Sequence, residues 1–186
     1  MRIISGLFKG RSIKFLKNSN TRPLKDTVRE SIFNILEHSH TIKPKIQNSN
    51  ILDLYSGIGS FGIECVSRGA KSITFVDQDE IAINILKENL VNLSIINKSK
   101  VFNIKLEKFL SNDFKEKYNI FFLDPPFKDF DFLQNLVLIK KKNIFDKNHL
   151  VIIHREKKSK DEFQDILKTI EIKEYGRSKI IFGVFI

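Results

Sequence analysis

Asn50-Ile51-Leu52-Asp53-Leu54-Tyr55-Ser56-Gly57-Ile58-Gly59-Ser60-Phe61-Gly62 is the stretch whose reading decides the fold. Ile51, Leu52 and Leu54 make a short apolar strand, with Asp53 set near its end. Gly57 and Gly59 can take positive φ and let another molecule approach the backbone closely. From Ser60 to Arg68 the pattern continues as a helix, closed by Gly69. Strand, glycine turn and helix form the βα unit of a parallel sheet. At the edge of such a sheet a turn of this kind is a nucleotide-sized binding site.

Gly57, Gly59 and Gly62 satisfy G-x-G-x-x-G, so a dinucleotide site and a tight turn with no ligand are both readings of this stretch. Two features count against a dinucleotide. Asp53 precedes the first glycine by four positions, and Tyr55-Ser56 offers no obvious pyrophosphate cradle. Asp-x-x-x-Gly-x-Gly resembles motif I of S-adenosylmethionine (SAM)-dependent methyltransferases. That resemblance turns Asp53 toward the cationic end of the cofactor and lays its amino-acid moiety along the glycines.

Working outward, Ser72–Asp77 reads as the second strand. Asp77 closes it 20 residues beyond Gly57, the spacing of a carboxylate that takes ribose hydroxyls. Asp79 and Glu80 fit the first turn of the next helix, where acids favour the dipole. That helix runs to about Asn92, with Ile81, Ile85, Leu86 and Leu90 expected inside. Lys100–Ile104 is a third strand. Lys105 then stands where such enzymes commonly carry an Asp or Asn for the adenine amino group.

Tyr118–Leu123 delivers Asp124 into Pro125-Pro126-Phe127. The two prolines fix φ and remove backbone donors, so Pro125 presents only a carbonyl. One carboxylate and one fixed carbonyl can accept both hydrogens of a planar amino group, while an aromatic lies on the face of the base bearing it. Beyond this come a helix from Asp129 to about Lys140, with Phe132, Leu133, Leu136 and Val137 inward, and a fifth strand, His149–His154. A charged loop (Arg155–Lys160), a surface helix (Lys160–Thr169) and a closing antiparallel pair around Gly176-Arg177 complete the chain.

Length and composition fit a single domain with a full core: 186 residues, 41% of them hydrophobic. No apolar run reaches the roughly 20 residues that cross a bilayer, and the first residues show no signal-peptide pattern. The single cysteine, Cys65, excludes an internal disulfide, reads as a small core residue, and fits a reducing cytoplasm. His38 and His40 lack the companions of a metal site, so no metal is expected. A monomer is expected.

The charge is uneven. Residues 1–50 hold ten Lys/Arg against three acids, a net +7 of the whole chain's +10. A basic segment beside a near-neutral remainder is the footprint of a polyanion partner. Arg2–Gly6 and Ser12–Leu16 read as a β-hairpin presenting Lys9, Arg11 and Lys14, so the division is a basic hairpin extension (1–20) and an α/β domain (21–186). After the loop carrying Arg22, Asp26 or Thr27 caps a helix to about His38, its buried stripe being Val28, Ile32, Ile35 and Leu36. Arg22 and Arg29 are placed near a substrate phosphate or the cofactor carboxylate.

Arg2-Ile3-Ile4-Ser5-Gly6, Gly10-Arg11, Arg22-Pro23, Val28-Arg29-Glu30, Phe33-Asn34, Leu52–Gly59, Ser67-Arg68-Gly69-Ala70 and Asp124-Pro125-Pro126-Phe127 together resemble the bacterial 16S rRNA guanine-N2 methyltransferases of the RsmD family. The likeness runs from residue 2 to about 127. Leu24-Lys25, Asp77 (where Glu is commoner) and Lys105 depart from the family pattern. The resemblance implies a class I methyltransferase fold, an α/β three-layer sandwich. Its seven-stranded sheet is mostly parallel, with an antiparallel C-terminal strand and the N-terminal hairpin added.

It also implies methyl transfer from SAM to the exocyclic N2 amine of a guanine in 16S rRNA, guanine 966, in an assembled or assembling small subunit. Asp53, Tyr55, Gly57, Gly59 and Asp77 would hold the cofactor. Asp124, Pro125 and Phe127 would hold the guanine, and Lys9, Arg11, Lys14 and Arg22 the RNA. Two other functions fit part of the pattern. A DNA adenine-N6 methyltransferase shares Asp-Pro-Pro-aromatic, but the 65 positions from Gly59 to Asp124 leave no room for a sequence-reading domain. A non-catalytic assembly factor would not need an amine-holding carboxylate.

Overall fold

The computed structural model describes residues 1–15, 24, 26–129 and 131–186. Seven strands form one sheet: β1 (Asn50–Leu54), β2 (Ser72–Asp77), β3 (Ser99–Asn103), β4 (Tyr118–Leu123), β5 (Phe145–Glu156), β6 (Leu167–Tyr175) and β7 (Ser178–Phe185). The helices are α1 (Asp26–His38), α2 (Ser60–Ser67), α3 (Glu80–Asn92), α4 (Leu106–Leu110) and α5 (Phe132–Lys142). Strand order is β3-β2-β1-β4-β5-β7-β6. The first five strands in that order pair in parallel, and β7 runs antiparallel to both β5 and β6.

Because strand side chains alternate between faces, each central strand feeds two cores. Ile51, Ile73, Phe75, Ile120, Phe122 and Ile152 pack with α1, α2 and α3. Leu52, Leu54, Val76, Phe121, Leu123 and Ile153 pack with α4 and α5 on the other side. This is the expected three-layer sandwich. The chain moves outward from β1 through β2 to β3, then returns to place β4 on the other side of β1. That reversal creates a crevice beyond the carboxyl ends of β1 and β4, where open α/β sheets bind ligands.

Three local expectations give way to tertiary packing. Among the described residues, the N-terminal segment forms not a pair of strands but a turn closed by one bridge, Arg2 to Ser12; Leu16 of the expected hairpin lies outside them. Its ladder is replaced by contacts to the helices. Ile3 and Ile13 join the core, and the Ile4 and Ser5 amides donate to the buried Glu64 carboxylate at 2.8 and 2.9 Å. A Cβ on Gly6 would lie 2.0 Å from the Ser67 carbonyl oxygen, so only glycine lets this arm seat on the end of α2.

In α3, Ile81 is 64% exposed and Ala82 and Ile83 are buried instead, because Asp79 caps the helix and sets its rotation. No helix forms over 160–166, and β6 begins at Leu167. There Asp161 is tied to Arg155 and Ser159, and the Phe163 ring lies 6.3 Å from Phe132. Those contacts outweigh a weak helical preference.

Candidate functional site

A cavity of about 940 Å³ opens at the crevice. Tyr55–Ile58 and Ser60 line it from the turn after β1, Asp77–Asp79 from the end of β2, Ile104–Glu107 from the start of α4, Asp124–Asp129 from the turn after β4, and His154 from β5. Both stretches singled out in the sequence therefore meet in one space.

The turn after β1 is held by backbone chemistry. Gly57 and Gly59 have φ of 52° and 78°, and a Cβ on Gly59 would come within 2.4 Å of Leu86 Cδ1. Tyr55 takes the same left-handed region at φ 58°, a strained conformation for a residue with a side chain. Its hydroxyl accepts from Asn135 Nδ2 at 3.1 Å, which anchors the residue to α5. Asp77 Oδ2 accepts from the Gly57 amide at 2.7 Å, and its Oδ1 accepts from the Asp79 amide at 2.8 Å. Asp53 lies beneath the turn, 1% exposed, with Oδ2 accepting from the Gly62 amide at 3.0 Å and Oδ1 buried without a partner among the described residues.

The turn after β4 is held by side chains from elsewhere. Asp124 Oδ1 takes a hydrogen bond from His154 Nδ1 at 2.7 Å. Arg155, 1% exposed, donates to the Pro126 carbonyl at 3.1 Å and to the Phe127 carbonyl at 3.3 Å. The same guanidinium pairs with both oxygens of Asp161 and lies 4.2 Å from the centre of the Phe132 ring. Among the described residues, the Pro125 carbonyl and Asp124 Oδ2 carry no hydrogen bond, so two acceptors remain on the turn.

Asp53, Asp77 and Asp124 lie at the carboxyl ends of three adjacent strands: within β1, at the last residue of β2 and just beyond β4. Burial pushes the Asp53 carboxyl well above its ordinary range; the Gly62 amide opposes that, and the charges of Asp124 and Asp77 add to it. Burial likewise raises Asp77, against the amides of Asp79 and Gly57. Burial raises the Tyr55 phenol as well, so it stays a protonated donor. Crowded carboxylates are relieved by a cation. The buried Asp53 and Asp77 carboxyls, the orphaned Asp53 Oδ1 and the open space beside Gly57 suit a ligand carrying a sulfonium and an ammonium.

Of the residues expected at the site, Tyr55, Gly57, Asp77, Asp124, Pro125 and Phe127 line the cavity. Gly59 shapes the turn and Asp53 sits under it. Arg29 is a correction: it is 1% exposed and bonds the Arg2 carbonyl at 2.6 Å and Asp26 at 3.0 Å, so it fastens the N-terminal arm. The sequence could not show that the arm would bring a carbonyl to it. Arg22 lies outside the described residues.

Lys9, Arg11 and Lys14 are exposed. Arg11 bonds the Asn92 carbonyl, at the far end of α3 from the cavity, and Lys14 pairs with Glu88 at 2.7 Å. With about 1.5 Å per helical residue, the α3 residues that Arg11 and Lys14 contact stand roughly 12–20 Å along the helix from its cavity end. Among the described residues, the lysines lining the cavity are Lys105 and Lys128. Sequence reasoning missed His154 and Arg155 as site residues. The signal for them was a His-Arg pair ending the apolar run Leu150–Ile153 at the ligand-binding edge of the sheet.

The family described as Conserved hypothetical protein 95 matches residues 1–184. A curated relative, Ribosomal RNA small subunit methyltransferase D of Buchnera aphidicola subsp. Baizongia pistaciae, is 38% identical over 156 residues, covering 84% of this chain and 76% of its own. Among solved structures, yhhF from Escherichia coli aligns over 98% of this chain and 96% of its own, with TM-score 0.83 and 24% identity. The fold also recurs in SMU.776, a protein solved in complex with SAH (TM-score 0.63, 14% identity, 84% of this chain and 49% of that one). The chain belongs to the Conserved hypothetical protein 95 family, that of the small-subunit rRNA methyltransferases D.

Proposed function

We propose that this protein is an rRNA methyltransferase that uses SAM to methylate the N2 amine of a guanine in 16S rRNA, guanine 966, within small-subunit material. The observation that carries the reading is the meeting of the two turns in one cavity: a glycine turn over crowded carboxylates, facing an Asp-Pro-Pro-Phe turn with two open acceptors. When bound, SAM would supply an electrophilic methyl on a positively charged sulfur, with a neutral thioether as the leaving group. Tyr55 to Gly59 would carry its amino-acid part, with Asp53 beneath the cation and Asp77 beside the ribose.

The guanine amine is a weak nucleophile because its lone pair is shared with the ring. Asp124 Oδ2 and the Pro125 carbonyl, each accepting one amine hydrogen, favour pyramidalisation and direct the lone pair at the methyl. Phe127 would stack on the base. As the N–C bond forms and the S–C bond breaks, the amine sheds one proton, for which Asp124 is the adjacent base. Most of the acceleration then comes from alignment. The base must enter from a loop or flipped out of its stack. Lys9, Arg11 and Lys14 would hold RNA phosphates away from the reacting base, Arg22 would also contact the RNA, and the enzyme would act as a monomer.

The experiment is methyl transfer from labelled SAM, offered small-subunit particles from cells lacking the enzyme, free 16S rRNA and duplex DNA. Label entering the particle in preference to the other two supports the reading. Label in duplex DNA would establish the adenine-methylating alternative, and SAM binding without label anywhere would mean a different acceptor. Absence of SAM binding would favour the assembly-factor alternative.

A further inference from the structure

The geometry points to His154 as a positioning residue for methyl transfer: its Nδ1–H locks the Asp124 carboxylate so that Oδ2 alone faces the acceptor amine. The inference rests on the role proposed for Asp124. In the parallel pairing of β4 with β5, Leu123 stands opposite Ile153, so the next residues out, Asp124 and His154, meet at the rim. Their contact is 2.7 Å, short for a nitrogen–oxygen hydrogen bond and typical of one to a charged acceptor. A carboxylate is acceptor-only, so Nδ1 must carry the proton; a neutral ring then leaves Nε2 as a bare lone pair. Nε2 is buried without a partner among the described residues, as an unprotonated nitrogen tolerates better than an N–H would.

The same ring meets Phe127 edge-on, with centroids 5.7 Å apart and planes at 73°. One imidazole therefore touches both the carboxylate assigned to the amine and the aromatic assigned to the base. A carboxylate on a single methylene otherwise rotates about its last torsion, which is broad. With Oδ1 held, that rotation is lost before substrate arrives. His154 itself neither gives nor takes a proton in the step.

The test compares three variants of the full chain on small-subunit particles: His154→Leu, His154→Asn and His154→Gln. An Asn amide nitrogen occupies nearly the place of Nδ1, whereas Gln reaches the place of Nε2. His154→Leu and His154→Gln should lose kcat on the order of 10–100-fold, with KM for the particle and Kd for SAM each within about threefold. His154→Asn should recover kcat to within about fivefold of the parent. A full kcat in His154→Leu, equal kcat in the Asn and Gln variants, or a loss confined to KM would overturn the assignment. Should the Leu variant fail to fold, the Asn–Gln contrast still decides. Failure of the functional reading would look different: the parent protein would label no particle, or Asp124→Ala would retain transfer.

Discussion

The two turns that close the cavity are built in opposite ways. The turn after β1 is shaped by glycines at positive φ, its Gly57 amide donating to Asp77 of the neighbouring strand while the Gly62 amide just inside α2 donates to Asp53 beneath it. The turn after β4 has two prolines and few amides to spend, and it takes its shape from His154 and Arg155 on a strand that arrives some thirty residues later. A pocket for a constant ligand can be written into local backbone. A pocket for a reacting base needs a carboxylate and an aromatic aimed by rigid supports. The cofactor side and the acceptor side should therefore fail separately.

Asp124→Ala is the sharpest way to break that contrast. Transfer should fall by about 10²–10⁴-fold, while SAM affinity by calorimetry stays within a few-fold. Equal loss of both would mean the two sides are one unit.

Asp161→Ala attacks the acceptor side through its support. It strands the buried Arg155 guanidinium, which should cost roughly 3–5 kcal/mol of stability in denaturant unfolding. Replacing both partners together, as in Arg155→Met with Asp161→Leu, should cost less than the Ala change alone. An additive double variant would mean that the pair is not coupled.

On the cofactor side, Asp53→Asn keeps an acceptor for the Gly62 amide and removes a buried charge. The Asp53 carboxyl binds its proton more tightly folded than unfolded. Its contribution to stability is therefore lost as pH rises from the ordinary carboxylate range, about 3.9, through the raised folded value. The Asn variant should gain stability relative to the parent across that window and lose the gain at acid pH. SAM affinity should move the other way, about tenfold weaker, or 1.4 kcal/mol, at neutral pH. Parallel changes in melting curves and SAM affinity would remove Asp53 from the cofactor's electrostatics.

The smallest effect belongs to the arm. Neutralising Lys9, Arg11 and Lys14 should weaken particle binding by a few-fold and flatten its salt dependence, by up to roughly 0.7 in slope for each phosphate that the arm neutralises. Two of the three already hold protein partners, Asn92 and Glu88, which limits what RNA can gain from them. An unchanged slope would move RNA docking to the rim lysines, Lys105 and Lys128.

What the sequence made legible follows the same division. The βα turn and Asp-Pro-Pro-Phe are contiguous, and their residue types dictate backbone geometry directly, so both were readable along with the sheet that carries them. The supports of the second turn depend on strand pairing: His154 and Arg155 acquire meaning only once Ile153 is set beside Leu123. Arg29 misled for a related reason, since an arginine in the first helical turn looks free until the Arg2 carbonyl is brought to it. The Lys160–Thr169 helix failed because Asp161 and Phe163 are claimed by Arg155 and Phe132.

The account's central claim is that Asp124 and Pro125 present an exocyclic guanine amine to the methyl group. Nuclease digestion of labelled small-subunit RNA, with mass spectrometry of the modified nucleoside, tests it most directly. The account predicts N2-methylguanine, absent when Asp124 is replaced by Ala. N6-methyladenine, or a methyl on a ring nitrogen or ribose, would contradict it.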